Sequence, residues 1–165
     1  MAFARVRDTA MMTAMLVAAV ALALQPDRAM AGALLAGLAA LAVSVRDRHV
    51  LLALVAALCS FAVTLMRPDT LPPTPFVEQV YASAFAFSPA AGLALLAGSA
   101  LLLLPMMALD RTNATVFAAV WLAILAAAVI GNYPTPLLGY GGSGILGYLL
   151  CLATLPRQTR REATD

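Results

Sequence analysis

Val50-Leu51-Leu52-Ala53-Leu54-Val55-Ala56-Ala57-Leu58-Cys59-Ser60-Phe61-Ala62-Val63-Thr64-Leu65-Met66 runs without one ionisable acid or base, between Arg46-Asp47-Arg48-His49 and Arg67-Pro68-Asp69. A helix that crosses a bilayer needs about 20 apolar residues, within a range of about 17–25. The stretch therefore reads as a transmembrane helix with polar ends. Five more apolar runs flank it: Ala10–Leu24, Ala29–Val45, Ala90–Leu109, Ala114–Gly131 and Leu137–Leu155. The expected fold is an all-α, polytopic bundle of six spans in one domain. Across the 165 residues, 63% are hydrophobic, 11% are charged and the mean hydropathy is +0.93. A soluble fold of this size has no interior large enough for so much apolar surface, whereas a bilayer is itself apolar.

The breaks between runs are polar or proline-rich. They are Gln25-Pro26-Asp27-Arg28, Arg46-Asp47-Arg48-His49, the loop Arg67–Pro75, Asp110-Arg111-Thr112-Asn113 and Asn132-Tyr133-Pro134-Thr135-Pro136. Proline fixes φ and lacks a backbone donor, so the two proline-rich loops are stiff. All ten basic residues are arginine. With the N-terminus inside, Arg5, Arg7, Arg46, Arg48, Arg111, Arg157, Arg160 and Arg161 lie inside, and only Arg28 and Arg67 outside. That bias orients the six spans with both termini in the cytoplasm. Arg5 and Arg7, an apolar stretch and Ala29-Met30-Ala31 also imitate a secretory signal, but a further apolar run follows at once, which favours an uncleaved first span. Phe76–Phe87 reads either as a short interfacial helix or as the start of the fourth span, bent at Pro89.

Composition narrows the function. The arginines are dispersed, so no dense basic face exists for nucleic acid. No spacing reads as a metal site, and no cofactor motif is present; His49 reads as interfacial, and Cys59 and Cys151 as reduced packing residues within apolar runs. No ionisable residue stands near a predicted midplane, which speaks against a proton- or ion-coupled transporter. Polar chemistry is left to two outer clusters. One is Arg67, Asp69, Glu78, Gln79 and Tyr81; the other is Asn132, Tyr133, Thr135, Tyr140 and Ser143. Asp69 and Glu78 are the candidate acids or bases. Glu78 is the better placed, with apolar neighbours at the membrane surface.

The most distinctive stretch is Pro134-Thr135-Pro136-Leu137-Leu138-Gly139-Tyr140-Gly141-Gly142-Ser143, a rigid entry followed by glycines that permit tight turns and close approach. It resembles the last outer loop of the SEDS family, the RodA/FtsW type of peptidoglycan glycosyltransferases, in which prolines and leucine precede Tyr-Gly-Gly-Ser at the start of the final helix. The resemblance singles out Pro136, Tyr140, Gly141, Gly142 and Ser143 as ligand- or partner-binding. It implies a bacterial inner-membrane location and contact with a lipid-linked cell-wall precursor or an envelope partner. Where the family carries a catalytic aspartate in its large outer loop, this chain has Thr74-Pro75-Phe76, and its spans are fewer. The expectation is a non-catalytic relative; if an enzyme, it would transfer sugar from a lipid-linked donor with Glu78 or Asp69 as base. The alternative is a helix-packing subunit of a larger membrane complex unrelated to the cell wall.

Overall fold

The computed structural model describes residues 2–25, 27–68, 74, 77–131, 133–136 and 142–154, with backbone alone for 2–8. It is all-helical across these residues. The order is α1 (Ala2–Leu24), α2 (Arg28–Ser44), α3 (Arg48–Met66), α4 (Val80–Phe87), α5 (Pro89–Leu101), a 3-10 segment (Leu104–Ala108), α6 (Arg111–Ile130) and α7 (Gly142–Thr154). Three helical stretches are long and apolar enough to cross a membrane: Arg48–Met66, Pro89–Ala108 (α5 with the 3-10 segment that follows it) and Arg111–Ile130. They coincide with the third, fourth and fifth apolar runs. The other three runs also form apolar helices, but shorter ones, over Thr9–Leu24, Arg28–Ser44 and Gly142–Thr154.

One device starts three of the helices. Asp27, Asp47 and Asp110 each stand immediately before a helix that opens on arginine. A capping carboxylate satisfies amides that the first turn leaves without partners. Asp27 Oδ1 accepts from the Met30 amide at 2.9 Å, Asp47 Oδ1 from the His49 amide at 2.6 Å, and Asp110 Oδ2 from the amides of Thr112 and Asn113 at 3.1 and 3.2 Å. The His49 amide holds the Asp47 carboxyl below its ordinary range, and the Asn113 side chain does the same for Asp110.

α2 lies between α3 and α6, and α1 packs on α3. The contacts are made by small residues. Ala31 and Ala57 are fully buried, and a Cβ on Gly37 of α2 would come within 2.6 Å of Val120 Cγ2 on α6. Ser60 of α3 donates to the Ala19 carbonyl of α1 at 2.7 Å. Small side chains let backbones approach where lipid offers no hydrophobic driving force between helices. Leu38, Phe117 and Trp121 are buried too, but many large apolar side chains point the other way: Val43, Met66, Phe87 and Ile130 are each more than four-fifths exposed. An interior rich in alanine inside an exterior rich in valine, leucine and isoleucine is what an apolar solvent favours.

Arg28, at the start of α2, closes the end of α3. Its Nε donates to the Thr64 carbonyl at 3.1 Å and its Nη2 to the Arg67 carbonyl. The Thr64 carbonyl also accepts from the Arg67 amide at 3.3 Å, so Arg28 adds a second donor there and supplies one to the Arg67 carbonyl, and a cation suits that end of the dipole.

α4 is a separate helix. Ser88 is extended (φ −162°, ψ 146°), its hydroxyl accepts from the Ala91 amide at 3.1 Å, and Pro89 opens α5. Both features favour a new helix start over a bend. α4 then folds back along α5. Phe85 packs on Gly92, and Tyr81 meets Ser99, a pairing that runs antiparallel about Ser88. Ser99 gives its only proton to the Leu95 carbonyl at 2.8 Å, so the buried Tyr81 hydroxyl is the donor across the 2.5 Å link.

α5 ends early because Pro105 lacks the amide that would continue it. The chain tightens into 3-10 turns, with Met106 N donating to Leu103 O at 3.1 Å, which leaves the Leu102 carbonyl without a helical donor. The Tyr148 hydroxyl of α7 supplies one at 2.9 Å. The Tyr148 ring stacks edge-on against Trp121, centroids 4.9 Å apart, and lies 6.3 Å from Phe117.

Candidate outer-loop cavity

The two polar loop clusters marked out in the sequence meet through their backbones. Glu78 and Pro134 form an isolated antiparallel bridge, and the Thr135 amide donates to the Val77 carbonyl at 3.1 Å. Gln79 turns the chain into α4 from the left-handed region, at φ 55°. The Glu78 carboxylate faces its own loop, where Oε2 accepts from the Thr74 amide at 2.9 Å. It is half-buried and serves as a turn clamp.

Beneath this bridge lies a cavity of about 520 Å³ between the start of α2, the C-terminal half of α6 and α7. Val120, Trp121 and Ile124 of α6 make its apolar wall. Its polar edge is Asp27, Thr135 and Ser143, and Pro136 closes one side. Ser143 and Gly144 belong to the first turn of α7, where amides have no partner within the helix. Thr135 stands out. It is 4% exposed, and its hydroxyl is the buried side-chain polar atom without a hydrogen-bond partner among the described residues. A buried hydroxyl left unpaired costs about 1–3 kcal/mol, so a ligand that pairs with it recovers that cost.

Of the residues singled out in the sequence, the structure gathers Tyr133, Thr135, Pro136 and Ser143 at this cavity. Gly142 opens α7 beside them and is exposed, with open space where a side chain would stand. Tyr140, Gly141 and Asp69 lie outside the described residues. Glu78 is joined to the cavity's loop through the Pro134 bridge but does not line it. Neither a family model, nor a curated protein, nor a solved structure matches the chain.

Sequence reasoning missed Asp27 and Trp121. Asp27 reads as a loop residue and Trp121 as one apolar residue within a span; only the packing of α2 against α6 brings both to the cavity. Among the described residues, no group of three or more His, Cys, Asp and Glu side chains could hold a metal ion. Cys59 and Cys151 are both free thiols; Cys59 is exposed on α3, and Cys151 is half-buried at the cavity.

Proposed function

We propose that this chain is a small, non-catalytic protein of the bacterial inner membrane that holds a lipid-linked cell-envelope precursor at the outer cavity. In this reading the chain crosses the bilayer six times with both termini in the cytoplasm. Eight arginines against two support that orientation, and one of the two outer arginines, Arg28, is occupied as the cap of α3. The resemblance to SEDS proteins at Pro136–Ser143 supports an envelope role. Proline at position 75, where the family places its catalytic aspartate, supports binding without polymerisation.

The observation that carries the reading is the cavity itself. It has hydrocarbon walls and a hydrogen-bonding edge with one unpaired buried hydroxyl, the composition of a site for a ligand with an apolar chain and a polar head. Trp121 is the sole tryptophan and lines the cavity, so its emission reports occupancy. In nanodiscs, titration with a polyprenyl-linked disaccharide should change Trp121 emission saturably, and more than the bare polyprenyl alcohol does. Thr135→Val or Ser143→Ala should weaken the response about tenfold. Identical titrations for wild type and both variants would remove this cavity from the function.

A further inference from the structure

A second cavity, of about 210 Å³, lies at the opposite end of α2. Met11, Met12 and Met15 of α1 line it. At 3.6 residues per turn, these three occupy an arc of about 100° on one side of the helix. Asp47 and His49, from the α2–α3 turn, line the same cavity. The His49 ring is held in place, with Nδ1 3.0 Å from Asp47 Oδ1. A carboxylate only accepts, so Nδ1 carries the proton, and in the neutral ring Nε2 is the nitrogen left to bind. A carboxylate behind an imidazole is the pairing that orients metal-bound histidines.

We propose that Met11, Met12, Met15 and His49 bind one Cu(I) ion. Thioethers are neutral, soft donors that select Cu(I) over zinc, magnesium or calcium. Methionine is unbranched and fills irregular gaps; Met15 packs against the core of Leu38, Ala53 and Ala57, yet all three methionines also border an open space that Leu41, Val45 and Val50 share, and Met11 is 52% exposed. The same freedom of three rotatable bonds lets the arms close on an ion. In sequence the thioethers and the imidazole are separated by more than thirty positions, so no local spacing reveals the set. This site shares no residue with the outer cavity, and the two readings stand or fall separately.

The test is an anaerobic Cu(I) titration of the detergent-purified full chain against the chelator bicinchoninate. A Cys59→Ala/Cys151→Ala background removes the thiols, which would bind Cu(I) on their own. The expected result is one Cu(I) per chain, undisturbed by Zn(II). Met12→Leu/Met15→Leu conserves volume and should weaken retention at least tenfold, while His49→Gln should remove the nitrogen scatterer from the copper X-ray absorption spectrum. Absence of Cu(I) retention, or equal retention when all three methionines are leucine, would overturn the site. If the leucine variants lose helicity, the spectrum of the unsubstituted methionine site decides: a sulfur shell with one nitrogen supports it, and a shell without sulfur overturns it.

Discussion

Arg28 shows how much one side chain can do in a chain with so few charges. Its guanidinium satisfies two carbonyls where α3 ends, and a hydrogen bond to a charged group contributes about 1.5–3 kcal/mol. Arg28→Gln should lower the thermal unfolding midpoint, and Arg28→Lys should recover only part of the loss, because an ammonium lacks the planar fork that reaches both acceptors. An unchanged midpoint for Arg28→Gln would mean that the carbonyls find other partners. The loop arginine was visible in the sequence, and its use was not. Position 28 reads as a topological outlier, and only the antiparallel packing of α2 on α3 sets it beside residues 64 and 67.

At the scale of the helix, the aspartate caps make acid sensitivity predictable. The Asp47 and Asp110 carboxyls are held below their ordinary value of 3.8 by the hydrogen bonds they accept. A carboxyl lowered on folding stabilises the fold fully above its unfolded value and loses that contribution as pH falls through its folded value. Helicity should therefore be flat with pH around neutrality and fall only below about 3.8. Asparagine caps a helix about as well as aspartate, so Asp47→Asn/Asp110→Asn should blunt the acid limb in circular dichroism while leaving neutral stability nearly unchanged. The break in α5 gives a second test. Tyr148→Phe keeps the ring but abandons the Leu102 carbonyl, at a cost of about 1–3 kcal/mol. Pro105→Ala restores a backbone amide that can continue the helix, so in the double variant the tyrosine loss should cost less than in wild type, a coupling readable by a double-mutant cycle. Strict additivity would separate the two features. The helix α4 was the element least legible in sequence. Phe76–Phe87 carries helical periodicity in either reading, and that Val80–Phe87 is a helix of its own follows only from the extended backbone of Ser88 and its cap on Ala91, neither of which a hydropathy pattern registers.

For the whole molecule, the apolar runs located the helices well, because length and hydropathy are local properties. The cavity beneath the bridge was half legible: Tyr133, Thr135, Pro136 and Ser143 were marked in the sequence as a polar, proline- and glycine-rich loop, while Asp27 and Trp121 arrive by tertiary packing alone. That packing depends on close approach between α2 and α6 at Gly37. A Cβ there meets Val120, and overpacking of this kind costs about 1–3 kcal/mol. Gly37→Val should lower the unfolding midpoint and also alter Trp121 emission, since α2 and α6 both line the cavity; a stability loss with unchanged emission would show that the cavity does not depend on their spacing. The six-crossing reading is tested with reporters fused at the two termini, expected on the same, cytoplasmic side. Reporters on opposite sides would sink it.

The hydrogen bond from Thr135 to Val77 also bears on how the chain is assembled. Its partners lie on either side of α5 and α6, so in the six-crossing arrangement they reach the same face only when both helices have traversed the bilayer. A chain that left one of them uninserted would strand the two loops on opposite faces, with that amide and carbonyl unmet and the roof of the cavity missing. In that arrangement the bridge can close only after both helices are in place, and it then joins the Val77 loop to the loop that borders the cavity.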